Sequence, residues 1–144
     1  MNGHANAYSA YRSAEITTAS QKDLIVRLYL GAEKFLDLAC QAMVAKKYVD
    51  SMTNCRKARD IFMELMATLN FDQGGEMAIR LKDLYSFLVF QISEASLRKS
   101  PEQIQTILPI IRTMREGWEK VPDEEANTTS IPAGNEGHAL NFRC

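Results

Sequence analysis

Few residues in this chain have types and spacings suited to catalysis or metal binding. The two histidines, His4 and His138, both lie near the chain ends in segments of polar composition, so a folded core would have no histidine base or metal ligand. Asp60 and Glu64 are four positions apart, which places two carboxylates on one helical face. Such a pair without a histidine is far more often a solvated surface than a metal site. We therefore expect no enzymatic activity, no bound metal and no cofactor.

The glycine and cysteine patterns also argue against a chemical site. Gly74-Gly75 lacks the further glycines and the lysine of a phosphate-binding loop. Cys40, Cys55 and Cys144 are an odd number of cysteines without a C-x-x-C motif, which argues against a disulfide framework or a zinc site. For Cys40 and Cys55 we expect burial as small apolar side chains.

Composition and charge limit the class of protein. At 144 residues, of which 46% are hydrophobic, the chain suits one domain with a substantial core. Lys and Arg number 17 against 18 Asp and Glu, for a net charge of -1, so no overall positive field favours nucleic acid. No apolar run approaches the roughly 20 residues that span a bilayer, and the N-terminus lacks the pattern of a secretory signal. We expect a cytoplasmic protein that neither binds nucleic acid nor inserts into a membrane.

A capping pattern marks the start of the first helix. Ser20 followed by Asp23 ahead of an apolar run is typical of a helix N-terminus, and it predicts a helix over residues 21–45. Gly31 lies inside this helix, where glycine costs about 1 kcal/mol relative to alanine, so we expect another segment to approach its backbone closely. The apolar residues that share one face of this helix are Leu24, Ile25, Leu28, Tyr29, Ala32, Phe35, Leu36 and Ala39.

Similar patterns predict three further helices, over residues 50–69, 76–98 and 101–120. Residues 70–75 read as a turn, because glycine there supplies left-handed dihedral angles after a helix end. Ser100 before Pro101 is a strong helix start, with a capping side chain followed by proline at the first helical position. Pro109 inside the last helix removes a backbone donor and predicts a kink near Gln105.

Four long amphipathic helices with short connections predict an all-α fold, an antiparallel up-down four-helix bundle. The bundle is expected over residues 20–121, after an N-terminal arm over residues 1–19. Residues 122–144 are rich in Asn, Thr, Ser, Pro and Gly, which predicts a largely disordered C-terminal tail.

The third predicted helix carries more apolar surface than one buried face needs. Its main stripe is Met77, Leu81, Leu84, Tyr85, Leu88, Ile92 and Ala95. Phe87, Phe90 and Leu97 lie outside that stripe. Either the helix is central and buried on most sides, or part of its surface serves a partner. Met63 and Met66 on the second helix leave a similar choice between core filling and an adaptable surface for apolar partners.

The arm over residues 1–19 carries Tyr8, Tyr11 and Ile16 among small and polar residues. One interpretation is a frayed terminus. The other is a segment whose tyrosines dock reversibly on an apolar groove and yield it to a ligand.

Several of these features together resemble one known family, the FliS family of flagellar export chaperones. The resemblance covers about residues 5–121, and its most specific part is the block from Thr18 to Leu36. The matching patterns are Tyr8-x-x-Tyr11, Thr18-Ala19-Ser20-x-x-x-Leu24-Ile25-x-x-Leu28-Tyr29-x-Gly31-Ala32-x-x-Phe35-Leu36, Leu69-Asn70 before Gly74-Gly75-Glu76, Leu81-x-x-Leu84-Tyr85, and Trp118.

This resemblance implies a cytosolic four-helix bundle that binds the disordered C-terminal region of flagellin. Such a chaperone prevents premature filament polymerisation and delivers flagellin to a component of the flagellar type III export gate. It also implies that the arm covers part of the bundle and is displaced by flagellin, and we expect the free protein to be a monomer or weak dimer. The residues proposed for flagellin binding are Met63, Met66, Phe87 and Phe90, and those proposed for the arm that caps the surface are Tyr8, Tyr11 and Ile16.

A different class of function remains open from the residues alone. The wide apolar faces of the second and third helices also suit a structural bundle that self-associates and has no role with flagellin. Such a protein would be a stable homo-oligomer that is indifferent to flagellin.

Overall fold

The computed structural model describes residues 20–122. Over this range the chain forms four helices and no strand: α1 (Gln21–Val44), α2 (Tyr48–Ala67), α3 (Phe71–Arg98) and α4 (Pro101–Lys120). The predictions for the arm, for the tail after residue 122 and for their side chains lie outside the described residues. Those side chains are His4, Tyr8, Tyr11, Ile16, His138 and Cys144.

The four helices form an antiparallel bundle. Each of α1 and α3 packs against both α2 and α4, and the short connections make successive helices run in opposite directions. Within the described range, no helix is long and apolar enough to cross a membrane. The predicted all-α four-helix bundle is confirmed.

Side-chain caps set the helix starts. The Ser20 hydroxyl accepts a hydrogen bond from the Asp23 backbone N–H at 3.1 Å, and Ser100 accepts one from Gln103 at 3.1 Å. Both predicted starts are therefore confirmed. α2 begins at Tyr48, two residues before the predicted position, and α4 continues through the exposed Pro109 as one helix.

The start of α3 differs from the predicted turn over residues 70–75. The Asn70 side chain accepts a hydrogen bond from the Gln73 backbone N–H at 3.1 Å, so a helical turn already begins at Phe71. Gly75, with φ 55° and ψ -129°, interrupts this turn before α3 continues. The left-handed glycine is thus present, but inside a kinked helix rather than in a connection.

A buried polar network lies at the centre of the apolar core. The hydroxyl groups of Tyr29 in α1 and Tyr85 in α3 are 2.8 Å apart and share a hydrogen bond, and the Trp118 indole N–H of α4 donates to the Tyr29 hydroxyl at 3.1 Å. The Phe62 ring of α2 meets the Tyr29 ring edge-on at a centroid distance of 5.9 Å. All four helices therefore contribute to one aromatic cluster.

Burial keeps both tyrosine hydroxyls protonated. Desolvation raises the pKa of Tyr29 well above its ordinary value and raises the pKa of Tyr85 to about 12. Because a protonated hydroxyl both donates and accepts, the network stays paired throughout the neutral pH range.

The structure leaves room for a side chain at Gly31. A Cβ atom built there would lie 3.6 Å from Ile61 Cδ1, which is an ordinary van der Waals contact. Within residues 20–122, no helix approaches the Gly31 backbone closely enough to require glycine, and an approach by the arm lies outside the described residues. At Gly75 a Cβ atom would meet no atom of the described residues within 4 Å, but the backbone conformation is one that other residues rarely adopt.

We expect Gly31→Ala to raise the free energy of unfolding by about 0.5–1 kcal/mol, because alanine is the better helix former and fits the space. Gly75→Ala should lower it by about 1–3 kcal/mol, because the strained conformation suits only glycine. Urea denaturation followed by circular dichroism measures both variants. A stabilising effect of alanine at both positions would contradict the backbone analysis.

Tyr29→Phe should destabilise the bundle more than Tyr85→Phe. Loss of the Tyr29 hydroxyl removes both hydrogen bonds of the network, at a cost of about 2–3 kcal/mol, whereas loss of the Tyr85 hydroxyl leaves the bond between Trp118 and Tyr29 intact and costs about 1 kcal/mol. The double variant should lower the free energy of unfolding by less than the sum of the two single variants, because both of them remove the same hydrogen bond between Tyr29 and Tyr85. Urea denaturation of the three variants tests this, and equal, additive costs would exclude the shared network.

Candidate binding surface

The proposed flagellin-binding side chains lie on α2 and α3, and three of them are exposed. The exposed fraction is 48% for Met63, 43% for Phe87 and 60% for Phe90. Met66 is partly buried against the core, and its sulfur accepts a hydrogen bond from the Ser86 hydroxyl at 3.3 Å. Because α2 and α3 run antiparallel, this bond places Met63 at the level of Phe90.

The second apolar stripe of α3 faces solvent. Phe87 and Phe90, together with Leu97, form what we call the outer face of α3, and all three are exposed. They lie opposite the buried side of the helix, which carries Tyr85 and Leu88. The alternative in which α3 is buried on most sides is therefore excluded. Exposed apolar patches of this kind mark sites of interaction.

A groove between α3 and α4 was not anticipated from the sequence. It has a volume of about 240 Å³ and is lined by Met77, Leu81, Leu84, Met114, Gly117, Trp118 and Val121. Met77 and Leu84 were expected in the core stripe, but both are exposed and line this α3–α4 groove instead. The reason is that α3 packs less extensively against α4 than against α2, so side chains on its α4 side stay partly open.

A second groove lies between α2 and α3, nearer the ends at which α2 begins and α3 finishes. It has a volume of about 450 Å³, and its lining combines apolar side chains with two arginines: Val49, Met52, Thr53, Cys55, Arg56, Arg59, Ile92, Ser93, Ser96 and Leu97. This α2–α3 groove shares Leu97 with the outer face of α3. It therefore extends the exposed apolar surface across two helices.

An ion pair ties α4 to α1 and orients the wall of the α3–α4 groove. The Arg115 guanidinium donates to both carboxylate oxygens of Glu33, at 2.6 and 3.4 Å, and to Glu119 at 3.1 Å. The hydrogen bond to Glu33 raises the pKa of Arg115. Glu33 is buried, and the ion pair compensates for the removal of its carboxylate from water. Sequence reasoning missed the pair, since its members are 82 positions apart.

The remaining chemical candidates have structural surroundings. Cys55 is buried as expected, whereas Cys40 is only partly buried. Burial raises the pKa of both thiols, to about 11 for Cys40, so neither is a reactive thiolate at neutral pH. Asp60 lies 3.8 Å from Arg56 in a surface ion pair. Across residues 20–122, no cluster of three His, Cys, Asp or Glu side chains is placed to hold a metal.

Together these features define a class of protein. A small helical bundle with an exposed aromatic face and two open grooves between its helices has the geometry for docking amphipathic segments. The surface offers exposed apolar area on neighbouring helices, which suits docking of an amphipathic segment.

Comparison with known proteins gives the family. The family model described as flagellar protein FliS matches residues 4–125. The flagellar secretion chaperone FliS of Vibrio cholerae is 29% identical over 135 residues, which cover 93% of this chain and 99% of that protein. The flagellar secretion chaperones FliS of Campylobacter jejuni and Bacillus subtilis are 29% and 26% identical, each covering 83% of this chain and 93% and 89% of their own length. The chain belongs to the FliS family, and the resemblance found in its sequence is confirmed.

Proposed function

We propose that this chain acts in the cytoplasm as an export chaperone that binds the disordered C-terminal region of flagellin. In this role it prevents premature polymerisation and delivers flagellin to a component of the flagellar type III export gate. The observation that carries the proposal is membership of the FliS family over residues 4–125. The relatives that match are flagellar secretion chaperones by name.

The exposed side chains of α2 and α3 support the proposal physically. Phe87, Phe90 and Met63 expose apolar area that contributes nothing to the core of the free bundle. Full burial of one such side chain is worth about 1.5–3 kcal/mol, and these side chains are about half exposed, so covering each one gains about half of that free energy and favours docking of a helix on this surface. Flagellin's terminal segments are amphipathic and self-associating, and covering their apolar face blocks filament nucleation. Met66 beneath this surface allows it to repack around different side chains.

The arm is proposed to cover the α3–α4 groove until flagellin displaces it. The Lys22 ammonium donates to the Glu119 backbone carbonyl at 3.3 Å, so the start of α1 lies next to the end of α4. Ser20, the residue that the arm precedes in the chain, therefore lies at the end of the bundle where Trp118 walls the α3–α4 groove. Its apolar side chains are Tyr8, Tyr11 and Ile16.

A self-associating structural bundle is the competing function, because the exposed aromatic side chains of α3 also suit a second copy of the chain. Sedimentation velocity separates the two. The chaperone proposal expects a monomer or weak dimer that forms a defined complex with flagellin. A stable homo-oligomer that is unaffected by flagellin would favour the structural bundle.

Phe90→Asp and Phe87→Asp should each weaken binding of a flagellin C-terminal peptide at least tenfold, because each replaces apolar contact area with a charge that must be desolvated. Both variants should keep wild-type helicity, since the side chains are exposed. Isothermal titration calorimetry and circular dichroism give the two readouts.

Two controls sharpen this experiment. Thr113→Asp adds the same charge at an exposed position of α4 and should leave affinity unchanged, whereas Leu88→Asp at a buried position should unfold the bundle. Wild-type affinity in both phenylalanine variants would reject the α2–α3 surface. No complex with wild-type protein would reject the chaperone proposal itself.

Deletion of residues 2–19, which retains the Ser20 cap, should tighten flagellin binding several-fold, because the peptide no longer competes with the arm. Trp118, the single tryptophan of the chain, lines the groove, so its fluorescence should shift to longer wavelength when the arm is removed. The full-length Tyr8→Ala/Tyr11→Ala variant should reproduce both changes. Unchanged affinity and unchanged emission would show that the arm does not occupy this groove.

A further inference from the structure

The α2–α3 groove contains a polar group that nothing in the bundle satisfies. The Arg59 Nε atom is buried and has no hydrogen-bond partner among residues 20–122. The Asp60 carboxylate lies 3.9 Å from it, which is too far for a hydrogen bond. Buried N–H groups are nearly always paired in folded proteins, so an exception needs an explanation.

The local charge in this groove is positive. Arg56 and Arg59 both line it, and Asp60 lies within 4 Å of both guanidinium groups at 3.8 and 3.9 Å. One carboxylate at these distances does not use all the N–H donors of the two guanidinium groups. Each group can therefore still bind a further anionic partner. A carboxylate is the group that a guanidinium fork binds best in two-point geometry.

The walls of the groove are apolar and open. Val49 on α2 and Leu97 on α3 are 76% and 82% exposed, and Met52 on α2 is also exposed. The side chains of a third helix can pack into a groove between two antiparallel helices whose facing side chains are apolar. Both arginines line the α2–α3 groove itself.

We infer that the α2–α3 groove seats an amphipathic helix whose acidic side chain accepts a hydrogen bond from Arg59 Nε–H, once the partly exposed Arg59 side chain turns this buried N–H toward the groove. Apolar side chains one turn away on that helix pack against Val49, Met52 and Leu97. Arg59 is then a specificity-determining residue, because an apolar helix without the acid would leave the buried N–H unpaired. This inference rests on the proposed function only in taking the flagellin C-terminal segment as the source of the helix.

The position of the groove fits a continuous docking path. Met63 lies one helical turn after Arg59 on α2, and Phe90 lies three residues before Ser93, which lines the groove on α3. A single helix along the seam therefore reaches both the arginines and the exposed side chains proposed for flagellin binding.

The first test measures affinity. Arg59→Gln should weaken a flagellin C-terminal peptide at least tenfold while leaving helicity unchanged, and Arg59→Lys, which keeps the charge but loses the Nε–H, should recover only part of that loss. Arg80→Gln is the matched control, because Arg80 is an exposed arginine of α3 that pairs with Glu76 four residues away. A set of flagellin peptides, each with one acidic residue changed to its amide, identifies the partner of Arg59. For one of these residues the change should weaken binding to the wild-type protein but leave binding to Arg59→Gln unchanged.

The second test observes the group itself. The Arg59 Nε–H resonance, assigned by its absence in Arg59→Gln, should shift when the peptide is added. A designed amphipathic helix with one glutamate should shift the same resonance, and its glutamine counterpart should not. If flagellin did not bind but the designed glutamate peptide still shifted the resonance, the proposed function would be rejected. The inference about Arg59 would stand.

Three results would overturn the inference. These are wild-type affinity in Arg59→Gln, binding of flagellin without any shift of the Nε–H resonance, and an unshifted resonance with both the flagellin and the glutamate peptides. A homodimer in the absence of peptide that Arg59→Gln abolishes would also overturn it, since the occupant would then be a second copy of the chain. Sedimentation velocity of the wild type and Arg59→Gln detects that dimer.

Discussion

The hydrogen bonds among Tyr29, Tyr85 and Trp118 are the constraint on which the rest of the bundle depends. Apolar contacts in a helical core tolerate small rotations of each helix, because hydrophobic burial has no direction. A buried hydroxyl and a buried indole N–H do not tolerate such rotations, since an unpaired polar group in the core is costly. Three helices meet in this network, and Phe62 joins the fourth to it through an edge-on ring contact. The network therefore sets which face of each helix is turned inward.

The exposed aromatic face of α3 follows from that orientation. With Tyr85 directed at the network, Phe87 and Phe90 are carried to the far side of the helix, where no neighbouring helix covers them. The ion pair of Glu33 with Arg115 works in the same sense for α4, holding it against α1 so that Trp118 both donates to Tyr29 and walls the α3–α4 groove. The helix orientations that bury the core therefore also determine which side chains form the exposed surface.

The two grooves differ in what they offer a ligand. The α3–α4 groove is lined by Met77, Leu84 and Trp118 and lies beside the start of α1, and it offers a ligand mainly apolar contacts. The α2–α3 groove holds Arg59 with an unpaired buried N–H, so it combines apolar area with a demand for an acceptor. A partner that contacted both grooves would meet two different chemistries, which would favour one direction of binding over the other.

The sequence by itself determined the number of helices, the caps at Ser20 and Ser100, the all-α class and the family, because each rests on local patterns of capping, periodicity and motif. It left open which apolar stripe of α3 faces the core, and it misplaced Met77 and Leu84 within the buried stripe. Tertiary structure decided those questions, together with the grooves and the unpaired nitrogen of Arg59. The physical reason is that helix rotation depends on partners far apart in sequence, such as Tyr29 with Trp118, which no local pattern encodes.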